Sequence, residues 1–213
     1  MGICYHIKHN MQTDFIFSIL ILIFSVIVHE VSHGYAAYMQ GDNTAKYAGR
    51  LTLSPIPHLE LFGSFILPLL SYNLGGFIIG WAKPVPFNPY NLRNQRWGEA
   101  IVAFAGPFAN ICIALVFGLA LRFGIVFVAT PLGAMFATIV FINLILATFN
   151  LIPVPPLDGS KILFSLFPNS LHEVRSFLER NGLAIMIFFV LFLWQFILPL
   201  VSFFFALITG LIV

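Results

Sequence analysis

For its length, this sequence is short of charge. Asp, Glu, Lys and Arg together make up 8% of its 213 residues, against about 25% in a soluble domain. So few charges cannot cover the water-facing surface of a globular fold of this size, which excludes a soluble enzyme or signalling domain. Hydrophobic residues supply 60% of the chain, and the mean hydropathy is +0.97. These values describe an integral membrane protein whose first partner is the lipid bilayer. The formal net charge is +2, too small for a surface that neutralises phosphates, so no nucleic-acid partner is expected. Cysteine is scarcer still, at two residues. Cys4 and Cys112 form no C-x-x-C pair and no disulfide framework. No polar stretch is long enough for a separate soluble domain, and residues 1–213 read as one membrane-embedded domain.

Charge is also absent in blocks, and the blocks mark the membrane. An apolar run opens at Phe15, and turn residues Gly41-Asp42-Asn43 close the helix it predicts near Met39. Residues 99–121 and 131–149 predict two clear spans, and no charge occurs from Phe123 through Leu157. Residues 182–213 carry none either; at 1.5 Å per residue that is about 48 Å of helix, which Pro199 splits or which runs on tilted. Residues 61–80 are apolar but interrupted by Gly63, Pro68, Ser71-Tyr72-Asn73 and Gly75-Gly76. That polar centre suits a re-entrant or β-like insertion shielded by other helices. The expected fold is an all-α polytopic membrane protein of about 4–6 transmembrane segments, with a re-entrant or β-like element within 44–98. Its core is expected over 15–165, followed by apolar segments over 182–213. If 61–80 re-enters, Lys46, Arg50, Lys83, Arg93, Arg96, Lys161, Arg175 and Arg180 share one side, while Lys8 and Arg122 share the other. The positive-inside rule then puts the N-terminus outside and the far end of the first helix toward the cytoplasm.

Within that first apolar run stands His29-Glu30-Val31-Ser32-His33. Helical residues four apart share a face, so His29 and His33 point the same way and can hold one zinc ion. Glu30 stands beside the first ligand, where a carboxylate can take a proton from the attacking water. H-E-x-x-H alone is a short pattern that occurs by chance in soluble helices. Inside an apolar span it is expensive, about 2.5–3.5 kcal/mol for a central charge, and the cost calls for a partner such as a metal. Catalytic zinc takes three protein ligands. Asp158 is the only acid between Glu99 and Glu173 and sits in the break Pro153-Val154-Pro155-Pro156-Leu157-Asp158-Gly159. By itself it reads as a helix cap; with a zinc shell left unfilled it becomes the third-ligand candidate. His58 competes for that place, but its flank Ser54-Pro55-Ile56-Pro57 looks like loop and it reads as structural or interfacial.

Three motifs in order carry a resemblance. H-E-V-S-H in the first helix, G-P-F-A-N at 106–110 and F-N-L-I-P-V-P-P-L-D-G at 149–159 resemble the site-2 protease family of intramembrane zinc metalloproteases. Gly49-Arg50-Leu51 and Gly80-Trp81-Ala82-Lys83-Pro84 extend the likeness toward the compact members without a PDZ domain. The resemblance implies one zinc per chain on His29, His33 and Asp158, with Glu30 as catalytic base. It implies that Asn150 lies near the metal and steadies the tetrahedral intermediate. Gly106, Pro107 and Asn110 would serve packing beside the active-site helices. It implies a β-like element within 44–85, with an edge at 74–80 for an extended segment of a transmembrane protein substrate. The expected setting is the plasma or inner membrane of a prokaryote, with the active site toward the cytoplasmic face.

Other classes fit less well. A transporter or metal permease would use the histidine pair as a transient ion site, but no inverted repeat is evident and Glu30 would be idle. Axial haem ligation needs histidines from facing helices, whereas these share one turn. An inactive relative would not need all four catalytic-type residues. The sequence carries no signal for oligomeric state.

Overall fold

Apolar runs become long helices here, because in lipid every backbone polar group must be bonded within its own segment. The computed structural model describes residues 11–60, 66, 83–167 and 172–211. Helix α1 spans Met11–Met39. It stops where the turn chemistry predicts: Gly41 takes φ 104°, Gly41 N–H donates to Tyr38 O, and Asp42 N–H donates to Ala37 O, the Schellman pattern that a glycine allows. Asp42 is fully buried. It accepts from Thr44 N and Oγ1, Asn88 N and Asn91 Nδ2, tying the end of α1 to the 88–91 turn.

The short helix α2 (Thr44–Tyr47) follows. The rest of the 44–60 and 83–97 connections holds two 3-10 turns, Ile56–His58 and Pro89–Asn91. No strand occurs among the described residues. The expected β-like element, the substrate edge at 74–80 and the Gly80-Trp81-Ala82 part of the motif lie outside them. The flanks are held side by side nonetheless. Lys83 N–H donates to His58 O at 2.9 Å, and the buried Arg50 guanidinium donates to Pro57 O, Lys83 O and Pro84 O.

Helix α3 (Gly98–Arg122) returns through the membrane, and α4 (Pro131–Asn150) crosses back; both match the expected spans to within a residue. Thr130 caps α4 by accepting from Gly133 N–H at 3.1 Å. A proline-rich turn leads to α5 (Asp158–Leu166) and then to α6 (His172–Thr209). Pro199 lies inside α6 without breaking it, a proline tolerance usual for membrane helices. Among the described residues, three helices are long and apolar enough to cross a membrane, Ile16–Met39, Gly98–Arg122 and Pro131–Asn150, and a shorter apolar stretch, Gln195–Thr209, ends α6. The protein is therefore a polytopic membrane protein, helical throughout its regular described elements.

Helices α3, α4 and α6 meet in a core of Ala114, Val140, Leu144, Ile197, Val201 and Phe205. Gly118 lets α3 and α6 close: a Cβ there would stand 2.4 Å from Ile208 Cγ2, the small-residue device of membrane helix packing. Exposed Phe104, Phe108, Phe196 and Phe203 face outward toward lipid. Gln40 Nε2 donates to Gly98 O, so α1 ends where α3 begins, and Arg122 donates to Leu207 O at the opposite end. Lys46, Arg50, Lys83, Arg93, Arg96, Lys161, Arg175 and Arg180 thus gather at the Met39 end, with Arg122 at the other.

Candidate active site

His29 and His33 lie one helical turn apart on α1 and are 5% and 8% exposed. Their rings stand nearly perpendicular, at 86°, with centroids 4.6 Å apart. Each ring is held by its Nδ1 edge. His33 Nδ1 lies 2.7 Å from Val102 O, and His29 Nδ1 lies 2.6 Å from Asn110 Oδ1. A backbone carbonyl only accepts, so His33 carries its proton on Nδ1. Asn110 Nδ2 donates to another carbonyl, Ser25 O; its Oδ1 therefore faces His29, which must donate from Nδ1 as well. Both Nε2 atoms are left with lone pairs.

Those lone pairs converge on a third acceptor. Asp158, 129 residues from His29, brings Oδ2 to 3.1 Å from His29 Nε2 and 3.2 Å from His33 Nε2. It gets there because the Pro-rich turn folds tightly under α5: a Cβ at Gly159 would stand 2.3 Å from Leu151 O. Its other oxygen, Oδ1, lies 3.6 Å from Lys161 Nζ. The cap reading fails on geometry, since Leu157 occupies the cap position and the Asp158 side chain turns to the histidines.

Three lone-pair atoms pointing at one another repel unless a cation sits among them. Tetrahedral zinc with bonds of ~2.0–2.1 Å separates its ligand atoms by about 3.3–3.4 Å, close to the distances found. On the α3 side only a residue without a side chain fits. Gly106 of α3 faces the pair, and a Cβ there would stand 2.5 Å from His33 Nε2 and 2.6 Å from His29 Nε2. His29, Glu30 and His33 also bring one ligand atom each within 4.8 Å of one another. The donor set thus fits zinc. Glu30 Oε2 accepts from Val85 N–H at 2.9 Å, which sets the carboxylate at the edge of the site.

Two other residues bond away from the pair, His58 as its structural reading expects. His58 is buried, with its Nε2 bonded to Thr52 O at 2.9 Å, in a loop rather than at the histidine pair. Asn150 closes α4, and its amide donates to Leu146 O at 3.0 Å. Two functional contacts were not legible in the sequence: the bond of Asn110 to His29 and the bond of Val85 to Glu30. A signal existed for the first. Asn110 and Asn143 are the lone amides within the 99–121 and 131–149 spans, and a polar side chain at membrane depth is costly without a task.

The sequence model of peptidase family M50 matches residues 17–130 and 124–193. The chain is 38% identical over 192 residues to YwhC of Bacillus subtilis, named as a candidate zinc metalloprotease, across 87% of this chain and 82% of that protein. It is 33% identical over 140 residues to Rip2 of Mycolicibacterium smegmatis, named likewise. It is 31% identical over 135 residues to Rip2 of Mycobacterium tuberculosis, also so named. Each Rip2 match covers 63% of this chain and 51% of the relative. No solved structure matches the chain.

Proposed function

The chain belongs to peptidase family M50, the site-2 proteases, and is an integral-membrane zinc metalloprotease; from this premise we propose that it cleaves peptide bonds within or near transmembrane helices of other membrane proteins. One observation carries the reading: His29 Nε2, His33 Nε2 and Asp158 Oδ2 converge at 3.1–3.2 Å with Glu30 beside them. His29, His33 and Asp158 would hold the zinc. When bound, zinc supplies Lewis acidity toward a water and toward the scissile carbonyl.

The remaining steps belong to the chain. Glu30 accepts the proton of the attacking water and returns it to the leaving amine. Asn150, whose amide gives one proton to Leu146 O, has a second N–H with which it would steady the tetrahedral intermediate. A helical substrate hides its peptide bonds in its own hydrogen bonds, so it must unwind before reaching a site this buried. His33 lies six residues before Met39, about 9 Å along the axis, so the site is near one membrane face. The basic residues gathered at that end favour the cytoplasmic side of a prokaryotic plasma membrane, a setting in keeping with the bacterial relatives.

The test is zinc content and cleavage measured together on purified protein in lipid, with a model transmembrane peptide as substrate. Wild type should carry one zinc per chain and cut. Glu30→Gln, nearly isosteric, should keep the zinc and lose ~10²-fold or more in rate. A Glu30→Gln variant with full activity would remove the mechanism.

A further inference from the structure

The mechanism leaves one buried polar cluster unused. Ser25 of α1, Asn110 of α3 and Asn143 of α4 are 4%, 0% and 0% exposed, and they lie inside the three membrane helices. Their hydrogen bonds have one direction. Asn143 Nδ2 donates to Ile139 O at 2.9 Å and to Ser25 Oγ at 2.9 Å. Its Oδ1 must then accept, and it does so from Asn110 Nδ2 at 2.8 Å. Asn110 Nδ2 gives its second proton to Ser25 O at 3.3 Å. Asn110 Oδ1 is thereby turned to His29 Nδ1, at 2.6 Å. Both donors of each amide are used, and carbonyls that cannot donate fix the orientation at both steps.

We propose that Asn110, oriented by Asn143 and Ser25, is a positioning residue for the metal centre: it keeps the His29 proton on Nδ1 and so presents the Nε2 lone pair to the zinc. The contrast with His33 is instructive. His33 is fixed by a backbone carbonyl, Val102 O, which no substitution removes. His29 is fixed by side chains alone, so its tautomer and ring angle depend on a chain of amides reaching 33 residues further, to Asn143. Partners of this kind set the orientation and basicity of a metal-bound imidazole. The same three residues also knit α1, α3 and α4 together, so a purely structural role is the alternative to exclude.

The inference rests on the zinc reading, and the experiment separates the two. Zinc is titrated into metal-free protein in lipid or detergent against a chelator of known affinity, beside thermal melts of the metal-free form and nitrogen NMR of labelled imidazoles. Asn110→Leu keeps the volume and removes the acceptor. It should bind zinc about 10–100-fold more weakly and lose the protected His29 Nδ1–H signal. Asn110→Asp restores an acceptor and should recover most of that affinity. If Asn110→Leu fails to fold, Asn143→Leu, which touches neither histidine, should weaken zinc several-fold in the same direction. Wild-type zinc affinity in the folded variant, with only the melting temperature of the metal-free form lowered, overturns the positioning role. Failure of the wild type itself to take up zinc would instead sink the reading beneath it.

Discussion

The backbone N–H of Val85 donates to the Glu30 carboxylate at 2.9 Å, and Val85 stands between two prolines. Pro84 and Pro86 have no N–H, so this stretch of loop offers one donor, and it is aimed at the proposed base. Arg50 holds the same stretch from behind through Lys83 O and Pro84 O. A hydrogen bond to a charged group contributes about 1.5–3 kcal/mol. Val85→Pro removes that donor and should slow cleavage roughly 10- to 100-fold while zinc content holds. Val85→Ala, which keeps the N–H, should cut at nearly the wild-type rate. Equal rates for folded Val85→Pro and wild type would show that Glu30 needs no such support.

Gly106 predicts a loss of a different kind. An alanine Cβ would meet His33 Nε2 at 2.5 Å and His29 Nε2 at 2.6 Å. The rings cannot retreat without breaking their Nδ1 bonds to Val102 O and Asn110. Alanine is a better helix former than glycine by about 1 kcal/mol, so α3 itself should not suffer. Gly106→Ala should therefore keep its helical content by circular dichroism and lose zinc. One zinc per chain in that variant would mean that the rings have more freedom than this packing allows.

Asp42 supplies a pH dependence outside the site. Burial pushes its carboxyl up, but bonds from Thr44, Asn91 and Asn88 hold it below its usual value. A depressed folded-state value means that the charged form is favoured by folding. That stabilisation is complete above the unfolded value of about 3.9 and is lost as pH falls through the lower folded value. Asp42→Asn should melt below wild type at neutral pH, and the gap should close as pH drops below about 4. A gap that stays constant down to pH 3 would assign the effect to shape rather than charge.

The H-E-x-x-H helix was legible because two ligands four apart need only local geometry, and α3 and α4 were legible because uncharged runs of membrane length have one solution. The Gly41 stop of α1 followed from backbone freedom alone. Asp158 was reachable by elimination, as the one acid in a long uncharged tract. What escaped depends on contacts between distant residues. The Asn110–His29 and Val85–Glu30 bonds span 81 and 55 residues, and no local period encodes them. At Pro199 the sequence left a split and one long helix both open, and α6 carries the proline unbroken. Gly106 was assigned to packing because a glycine in a sequence shows that space is needed without showing for what.

Asp158→Ala should lose both zinc and activity, and it sets two neighbours on one carboxylate against each other. Oδ2 faces the two imidazoles in a buried site, whereas Oδ1 faces Lys161, whose side chain is 41% exposed. An ion pair with so exposed a lysine contributes at most about 1 kcal/mol, so Lys161→Ala should keep its zinc and change the rate less than tenfold. Removing Asp158 is different in kind. Two histidines from one helical turn supply two corners of a tetrahedron, and nothing else among the described residues brings an oxygen this close to both Nε2 atoms. A carboxylate also offsets part of the zinc charge where the surroundings are apolar, which no neutral side chain does. Asp158→Asn refines the test: it keeps the shape and one oxygen but not the charge, and should bind zinc more weakly than wild type yet better than Asp158→Ala. Zinc titrations on the three variants should give the order Lys161→Ala, Asp158→Asn, Asp158→Ala from tightest to weakest. If Asp158→Ala retained one zinc per chain, the third ligand would have to come from elsewhere, and His58→Ala would be the next protein to measure.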